Sequence, residues 1–227
     1  MSWTATSIRE LIAKSIEHDI LAGIYETGQQ LKQDAICKQF NVSAAPVREA
    51  LRQLESDGLV LYRPNRGMFV ADVGSEELLG VLLPVRLTLE KFAIRHTMSH
   101  MTRERWETLE AMVAAMQRGA RDNDWGTINE ADVRFHELTV LWSEQPHTVQ
   151  LWKAVQSRTR AQIYRLAPRH KHGNEVVGEH SHLVECFRSG DARLIFKALK
   201  DHILVSAAEL LAADDEASAV SETPALQ

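Results

Sequence analysis

The most informative stretch of the sequence is VSAAPVREALRQLESDGLV, residues 42–60. Ser43 belongs to the residue types that cap helices, and Pro46 falls in the first turn, where no backbone N–H bond is lost. Gly58 is a typical helix end. Apolar residues recur at spacings of four and three, which predicts one buried stripe on this helix. The residues of the stripe are Val47, Leu51 and Leu54.

The polar face of the same helix carries two arginines. Arg48 and Arg52 are four residues apart, so they lie on one face. Ala44 and Ala45 keep the first turn narrow and leave backbone N–H groups and the positive end of the helix dipole accessible to a phosphate. A slim leading end with guanidinium groups behind it is what a recognition helix needs in the major groove of DNA.

The surrounding sequence predicts a small module of three helices and a β-ribbon. Two helices, about 7–21 and 33–40, precede the recognition helix, and two strands, 59–62 and 68–71, follow it. The turn between these strands places Arg63 and Arg66 at the tip of the ribbon. Arginines near glutamates are common on solvated helices, so charge alone favours an ordinary surface. The order of the elements favours DNA binding instead.

Residues 7–71 resemble the winged helix-turn-helix of GntR-type bacterial transcription regulators. The resemblance implies a double-stranded DNA operator as partner. Many members have Arg or another polar residue where this chain has Ala44, which implies that one direct base contact is absent here. The matching positions are Gly23, Gly28, Leu31, residues 42–60 and the Arg66-Gly67 turn. The expected DNA-binding residues are Ser43, Ala44, Ala45, Arg48, Arg52, Arg63 and Arg66.

The net charge of the chain argues neither for nor against DNA binding. The 227 residues include 26 Lys and Arg against 31 Asp and Glu, a formal net charge of -5. The acidic excess lies entirely in residues 209–227, which contain no Lys or Arg. The placement of the arginines is therefore more informative than the total. We expect residues 213–227 to form a disordered acidic tail.

Beyond the ribbon, the sequence shows only helical periodicity. We therefore predict a mainly α protein with a winged helix-turn-helix domain at 1–73 and an all-helical antiparallel bundle, the effector domain, at 74–212. No apolar run approaches the roughly 20 residues of a membrane span, and we find no secretory signal. Cys37 and Cys186 are far apart and fit a reducing compartment. We expect a cytoplasmic protein without a membrane partner.

Four residues of metal-ligand type fall on apolar helix faces of the second domain. Asp132 and His136 are four apart on one helix, and His180 and His202 lie on two others, whereas His182 points away from the apolar face of His180. A single inward histidine is more often an ordinary core residue. Four together match the ligands that zinc, nickel, manganese and iron accept. On spacing alone, a metal site and an ordinary core are about equally supported.

Residues 76–210 also resemble the metal-binding helical effector domain of the FadR branch of GntR regulators. The resemblance implies a divalent metal, zinc foremost with nickel, manganese or iron as alternatives, held by Asp132, His136, His180 and His202. It also implies a small carboxylate metabolite at the open metal positions, which needs a cationic partner. Candidates are Arg86, on an apolar face, and Arg134; alternatively, Arg86 pairs with Glu90 and Arg134 with Glu130 or solvent.

The sequence therefore predicts an effector-responsive transcription regulator. A homodimer on a pseudo-palindromic operator is expected, because one short helix reads few base pairs. A metalloenzyme acting on a small organic acid is the rival, since such a metal site could activate water. The sequence offers no further inward acid as an obvious general base near the ligand motifs, which disfavours an enzyme. A third possibility is a purely structural metal.

Overall fold

The computed structural model describes residues 7–166, 170 and 172–212 of the chain. The expected acidic tail, 213–227, lies outside the described residues. Within them the protein is mainly helical with one small sheet, so the predicted fold class is confirmed. The chain divides into two compact units, residues 1–74 with 156–165, and residues 75–155 with 166–227.

Residues 7–74 of the first unit form three helices and three short strands. Helix α1 begins with a capping box in which Ser7 and Glu10 exchange backbone and side-chain hydrogen bonds. Ser43 occupies the N-cap position of α3, but its side chain makes no capping hydrogen bond, so its expected role as a cap is wrong in that respect. The elements are α1 (Ile8–Leu21), β1 (Gln30–Leu31), α2 (Gln33–Phe40), α3 (Ala44–Ser56), β2 (Val60–Arg63) and β3 (Gly67–Val70).

The sheet has three antiparallel strands in the order β1-β3-β2. The sequence predicted only two, because the two-residue β1 is too short to show a period. Leu31 and Tyr62 both pair with Met68 of the central strand. The Gln30 side chain donates a hydrogen bond to the Arg66 carbonyl at 2.6 Å, which ties β1 to the ribbon tip.

The core of the first unit lies between α1, α3 and the sheet. Part of a later helix also belongs to this unit: Arg160 pairs with Glu17, and the Gln162 amide donates to the Val73 carbonyl at 2.6 Å. This association is not predictable from local sequence patterns, because the segment begins 82 residues after the end of the unit's main part. The most buried core residues are Ile12, Ile16, Ile36, Val47, Ala50, Leu51, Leu54, Val60 and Val70.

The second unit is built from helices. A π-helical turn, Leu78–Leu82, joins α4 to α5, and a second one, Asp201–Val205, follows α10 and continues into a helix over 206–212. No helix in the described ranges is both long and apolar enough to cross a membrane. The helices are α4 (Ser75–Glu77), α5 (Leu83–Met98), α6 (Arg103–Asp122), α7 (Trp125–Leu141), α8 (Pro146–Leu166), α9 (Gly173–Ser189) and α10 (Ala192–Lys200).

Candidate metal centre and DNA-binding surface

Four side chains converge inside the second unit. Asp132 and His136 project from α7, His180 from α9, and His202 from the π-helical turn after α10. One potential ligand atom from each lies within 4.8 Å of the others. Asp132, His136 and His180 are buried, and His202 is half-buried. The structure thus brings together all four residues that the sequence singled out.

The short distances within this group all join atoms that can donate an electron pair. Oδ1 of Asp132 lies 2.9 Å from Nε2 of His180, 3.7 Å from Nε2 of His136 and 3.8 Å from Nε2 of His202. The Nε2 atoms of His136 and His202 are themselves 2.9 Å apart. These separations leave room for one small ion between the four atoms, and for little else.

The outer nitrogen of each histidine has its own hydrogen-bond partner. Nδ1 of His136 lies 2.8 Å from Glu90, Nδ1 of His202 lies 2.6 Å from Glu179, and Nδ1 of His180 lies 2.9 Å from the Val176 carbonyl. A carboxylate or carbonyl oxygen can only accept, so the network assigns the ring proton of each neutral imidazole to Nδ1. Each Nε2 then carries a lone pair that points into the group.

With the three ring protons on Nδ1, the centre of the group is rich in acceptors. Although Nε2 of His180 is 2.9 Å from Asp132, the contact does not have hydrogen-bond geometry, and this buried nitrogen has no other hydrogen-bond partner among the described residues. Three imidazole nitrogens and one carboxylate oxygen fit the ligand set of zinc and related divalent ions. The residues present thus fit a divalent metal.

Glu90 is the most important residue that the sequence interpretation missed. It is 2% exposed and accepts hydrogen bonds from Arg86 Nε at 2.7 Å, His136 Nδ1 at 2.8 Å and Trp152 Nε1 at 2.8 Å. Glu90 is thus an inward acid beside the ligands, which the sequence analysis considered only as an ion-pair partner of Arg86. Because three donors engage Glu90, its carboxylate positions His136 rather than standing free as a base.

The pKa shifts of Glu90, Asp132 and His136 favour the forms that a metal site needs at neutral pH, whereas for His180 burial lowers the pKa but the contact with the Asp132 carboxylate and its charge raise it overall. Burial raises the pKa of Glu90, but the charges of His136 and Arg86 outweigh it and hold that pKa well below its usual range. Burial likewise raises the pKa of Asp132, but the three histidines outweigh this effect and hold that pKa well below its usual range. Burial lowers the pKa of His136 to about 4, against the opposing charge of Glu90. Both carboxylates are thus ionised and His136 is neutral.

A second carboxylate orients the last ligand. Glu179 on α9 accepts from His202 Nδ1 at 2.6 Å and from Ser206 Oγ at 2.8 Å. Burial raises the pKa of Glu179, but the hydrogen bond and charge of His202 outweigh burial, so this pKa lies below its usual value. The spacing between Glu179 and His202 offered no sequence signal, because the two lie on different elements. His182, in contrast, is exposed as expected.

The two candidate effector arginines lie in different surroundings. Arg86 is 3% exposed and pairs with Glu90, as the alternative interpretation held, but its buried Nη2 makes no hydrogen bond within the described residues. Arg134 lies on the exposed side of α7 and pairs with Glu137 at 2.5 Å, not with Glu130. The structure therefore places Arg86, and not Arg134, in the buried network around the ligands.

The predicted DNA-binding residues lie on the first part of α3 and at the tip of the β2–β3 ribbon. Arg48 and Arg52 are exposed on α3, and they line a cleft of about 490 Å³ together with Lys32 and Tyr62. Ser43 and Ala45 are exposed and Ala44 is half-buried at the start of the same helix. The cleft separates α3 from the sheet, and the cationic side chains lining it suit a phosphodiester backbone.

At the ribbon tip, two arginines share one aromatic ring. The guanidinium groups of Arg63 and Arg66 lie 4.6 Å and 5.4 Å from the centroid of Phe69. Phe69 is 6% exposed, so the ring is a fixed support for two otherwise exposed side chains. The sequence marked Phe69 only as a strand residue.

Comparison with protein families identifies both units. Residues 8–70 match the model described as "Bacterial regulatory proteins, gntR family", and residues 81–204 match the model of the FCD domain. The two matches follow each other along the chain in the order of the two units.

Curated relatives match over most of their length. The gluconate operon transcriptional repressor of Bacillus licheniformis is 24% identical over 204 residues, covering 88% of this chain and 82% of the relative. The probable D-xylose utilization operon transcriptional repressor of Paenarthrobacter nicotinovorans is 25% identical over 200 residues, which cover 88% of this chain and 87% of the relative.

Two solved structures share the fold. Escherichia coli McbR/YncC gives a TM-score of 0.76 at 18% identity, covering 92% of this chain and 99% of that one. A transcriptional regulator from Rhodococcus sp. RHA1 gives a TM-score of 0.77 at 20% identity, covering 90% of this chain and 98% of that one. At these identities the likeness concerns the fold alone.

Proposed function

Because the chain belongs to the GntR family of bacterial regulatory proteins, with an FCD domain as its second unit, we propose that it is a metal-dependent, effector-responsive transcription repressor. The resemblance found in the sequence is confirmed, and the family is one of regulators rather than enzymes. Two relatives bear the name of operon repressors, which supports repression as the mode of action.

The first unit binds the operator. Arg48 and Arg52 on α3 approach the major groove, and Arg63 and Arg66 at the ribbon tip approach the adjacent backbone or minor groove. Ala44 presents a methyl group where a longer polar side chain would reach a base, so the operator preference rests on the arginines and on methyl contacts. A homodimer on a pseudo-palindromic operator doubles this small set of contacts.

The second unit holds a divalent metal, zinc foremost. The observation that carries this proposal is the convergence of four potential ligand atoms, Asp132 Oδ1 and the Nε2 atoms of three histidines whose Nδ1 atoms each lie beside a carboxylate or carbonyl acceptor. When bound, the metal supplies positive charge and open coordination positions. Glu90 and Glu179 hold His136 and His202 in the ligating orientation.

The effector is a small carboxylate, and Arg86 is its cationic partner in the protein. Among the residues that the structure describes, one buried guanidinium nitrogen of Arg86 has no hydrogen-bond partner, while Nε is held by Glu90. A buried donor left unpaired costs about 1–3 kcal/mol, so a carboxylate that accepts its hydrogen bond gains affinity. This pairing also couples the effector to His136 through Glu90.

Regulation requires that the effector bind one DNA-binding state better than the other. The effector then shifts the population between the two states by the ratio of its affinities, and operator affinity changes by the same coupling. A metal that is only structural would leave operator affinity insensitive to any acid.

The test is a titration of operator DNA, selected from a random pool by the wild-type chain, at fixed salt and saturating zinc. Small mono-, di- and tricarboxylic acids are added in turn while fluorescence anisotropy reports bound DNA. We expect at least one class of acid to change the operator Kd by about 5- to 150-fold. Arg86→Lys should lose this response and Arg134→Lys should keep it. A metal-loaded chain that no acid affects would contradict the effector proposal.

A further inference from the structure

The side chain of Gln30 reaches from strand β1 to the tip of the β2–β3 ribbon. Its amide Nε2 donates a hydrogen bond of 2.6 Å to the carbonyl oxygen of Arg66. The same nitrogen lies 3.6 Å from the position that a Cβ atom would occupy on Gly67, so the amide lies directly beside the backbone of the turn. Gln30 itself is exposed, and its backbone pairs with Phe69 of the central strand. The contact therefore joins an edge strand to a turn that lies 36 residues later.

The residues of the turn at the ribbon tip are exposed. Pro64, Asn65 and Arg66 all face solvent, so core packing does not hold them in place. The pairing of β2 with β3 ends at Arg63 and Gly67, and the Arg66 N–H closes the turn by donating to the Arg63 carbonyl at 3.0 Å. Asn65 has a φ of 60°, which is uncommon for a residue other than glycine. A hydrogen bond from outside the ribbon thus adds a restraint that the turn residues themselves do not provide.

Gln30 and Phe69 restrain two different parts of Arg66. The guanidinium groups of Arg63 and Arg66 lie 4.6 Å and 5.4 Å from the centroid of the Phe69 ring. Phe69 is the partner of Gln30 in the β1–β3 ladder, and such partners project from the same face of a sheet. On this face, Gln30 holds the main chain of Arg66 while the ring supports its side chain. A long side chain that is ordered before binding loses less conformational entropy when it contacts DNA.

We propose that Gln30 is a positioning residue for operator binding. Its amide holds the main chain of the turn, and with it the base of the Arg66 side chain, in the place from which the guanidinium group reaches DNA. The inference rests on the DNA contact of the ribbon tip in the proposed function, and it adds a residue that lies outside both the ribbon and α3. An amide suits this task, because it donates a hydrogen bond without adding a charge beside two arginines. An ionised glutamate at this position would only accept and could not bond to a carbonyl oxygen.

The experiment compares Gln30→Met with Gln29→Met in the binding of the selected operator at fixed salt. Methionine is similar in length to glutamine, but it cannot donate a hydrogen bond. Gln29 is the matched control, because it is also exposed and its amide oxygen accepts from the Glu26 N–H at 2.8 Å in a neighbouring turn. Gln30→Met should raise the operator Kd by about 2- to 12-fold, the equivalent of one hydrogen bond, whereas Gln29→Met should leave the Kd unchanged. Circular dichroism checks that both variants fold.

A double-mutant cycle with Arg66→Ala separates positioning from a general loss of stability. If Gln30 acts through Arg66, Gln30→Met should cause no further loss of operator affinity once Arg66→Ala is present. Nuclear magnetic resonance of the chain without DNA gives a second readout. Gln30→Met should reduce the ring-current shift that Phe69 imposes on the side-chain protons of Arg66, and Gln29→Met should not.

The outcomes separate this inference from the proposed function. If Gln30→Met binds operator like wild type, or if the losses from Gln30→Met and Arg66→Ala add, the inference is overturned while the proposed function stands. If Arg66→Ala binds operator like wild type, the ribbon tip makes no contact with DNA, and the inference falls with that contact. A wild-type chain that selects no operator from the random pool would contradict the proposed function itself.

Discussion

The Nε2 atoms of His136 and His202 lie 2.9 Å apart, although the two residues are 66 positions apart in the chain. Their rings are nearly parallel, with an interplanar angle of 11°. Because Glu90 and Glu179 hold the ring protons on the outer nitrogens, two lone pairs face each other across this gap. A shared cation relieves that repulsion, and this relationship is the physical basis of the metal proposal.

Replacing Glu90 by Gln tests the buried network around His136. The change removes the negative charge that balances Arg86, and breaking a buried ion pair costs about 3–5 kcal/mol of unfolding free energy. Zinc affinity should also fall by about 10- to 100-fold, because His136 loses its orienting carboxylate. Urea denaturation and competition with a chelator measure the two effects.

The matched control for that change is Glu107→Gln. Glu107 pairs with Arg103 at 2.7 Å on the surface of α6, where its side chain is 58% exposed. Exposed pairs contribute about 0–1 kcal/mol, so the control should remain close to wild type in stability and zinc affinity. Equal effects of the two substitutions would show that Glu90 has no special role.

Two helix glycines should respond to alanine with opposite signs. A Cβ at Gly119 would lie 2.9 Å from the Asp124 carbonyl oxygen and 2.9 Å from Cγ1 of Ile128, and a backbone oxygen cannot rotate away. Gly119→Ala should therefore destabilise the protein by about 1–3 kcal/mol. At Gly178, in α9, nothing lies within 4 Å of the new atom, so Gly178→Ala should stabilise it by about 0.5–1 kcal/mol. Denaturation midpoints that moved in the same direction would refute the packing described between α6 and α7.

Arg48→Ala should weaken operator binding by about 1–3 kcal/mol. The cause is the loss of a guanidinium group from the exposed face of α3, and the salt dependence of the Kd tells a phosphate contact from a base contact. Arg193→Ala, at a side chain that is 93% exposed in the second unit, is the control and should leave the Kd unchanged. An unaffected Arg48→Ala would assign this arginine to an ordinary solvated surface.

Phe69→Leu tests the support of the ribbon tip. The variant keeps an apolar side chain in the sheet but removes the aromatic face under Arg63 and Arg66. Operator affinity should fall by about 0.5–1 kcal/mol, the size of an exposed cation–π contact. Met68→Leu, one residue earlier, should have no such effect. If both variants bind operator like wild type, the ring does not position the arginines.

The sequence alone predicted those features that depend on neighbouring residues of one helix. The stripe of Val47, Leu51 and Leu54 follows from periodicity, and the end of α3 follows from the position of Gly58; the structure agrees with both. Asp132 and His136 are adjacent on a helix because they are four apart. For His180 and His202, an apolar face was enough to predict an inward direction.

The features that the sequence did not predict depend on contacts between elements that are distant in the chain. Glu90 sits one turn after Arg86, a spacing that by itself indicates only a helix-surface ion pair, and its contacts with His136 and Trp152 depend on how α5, α7 and α8 pack. The π-helical turn that presents His202 inserts one extra residue per turn, which no 3.6-residue pattern reveals. Strand β1 is too short for periodicity and forms only because β3 offers hydrogen bonds.

The most direct test of the whole account is the metal content of the purified chain after incubation with zinc and removal of excess ion, measured by plasma mass spectrometry. His180→Ala removes a proposed ligand, and His182→Ala, two residues along the same helix and 65% exposed, is the control. We predict about one zinc per chain in wild type and in His182→Ala, and a small fraction of that in folded His180→Ala. Wild-type protein without bound metal, or equal metal content in the two variants, would contradict the account.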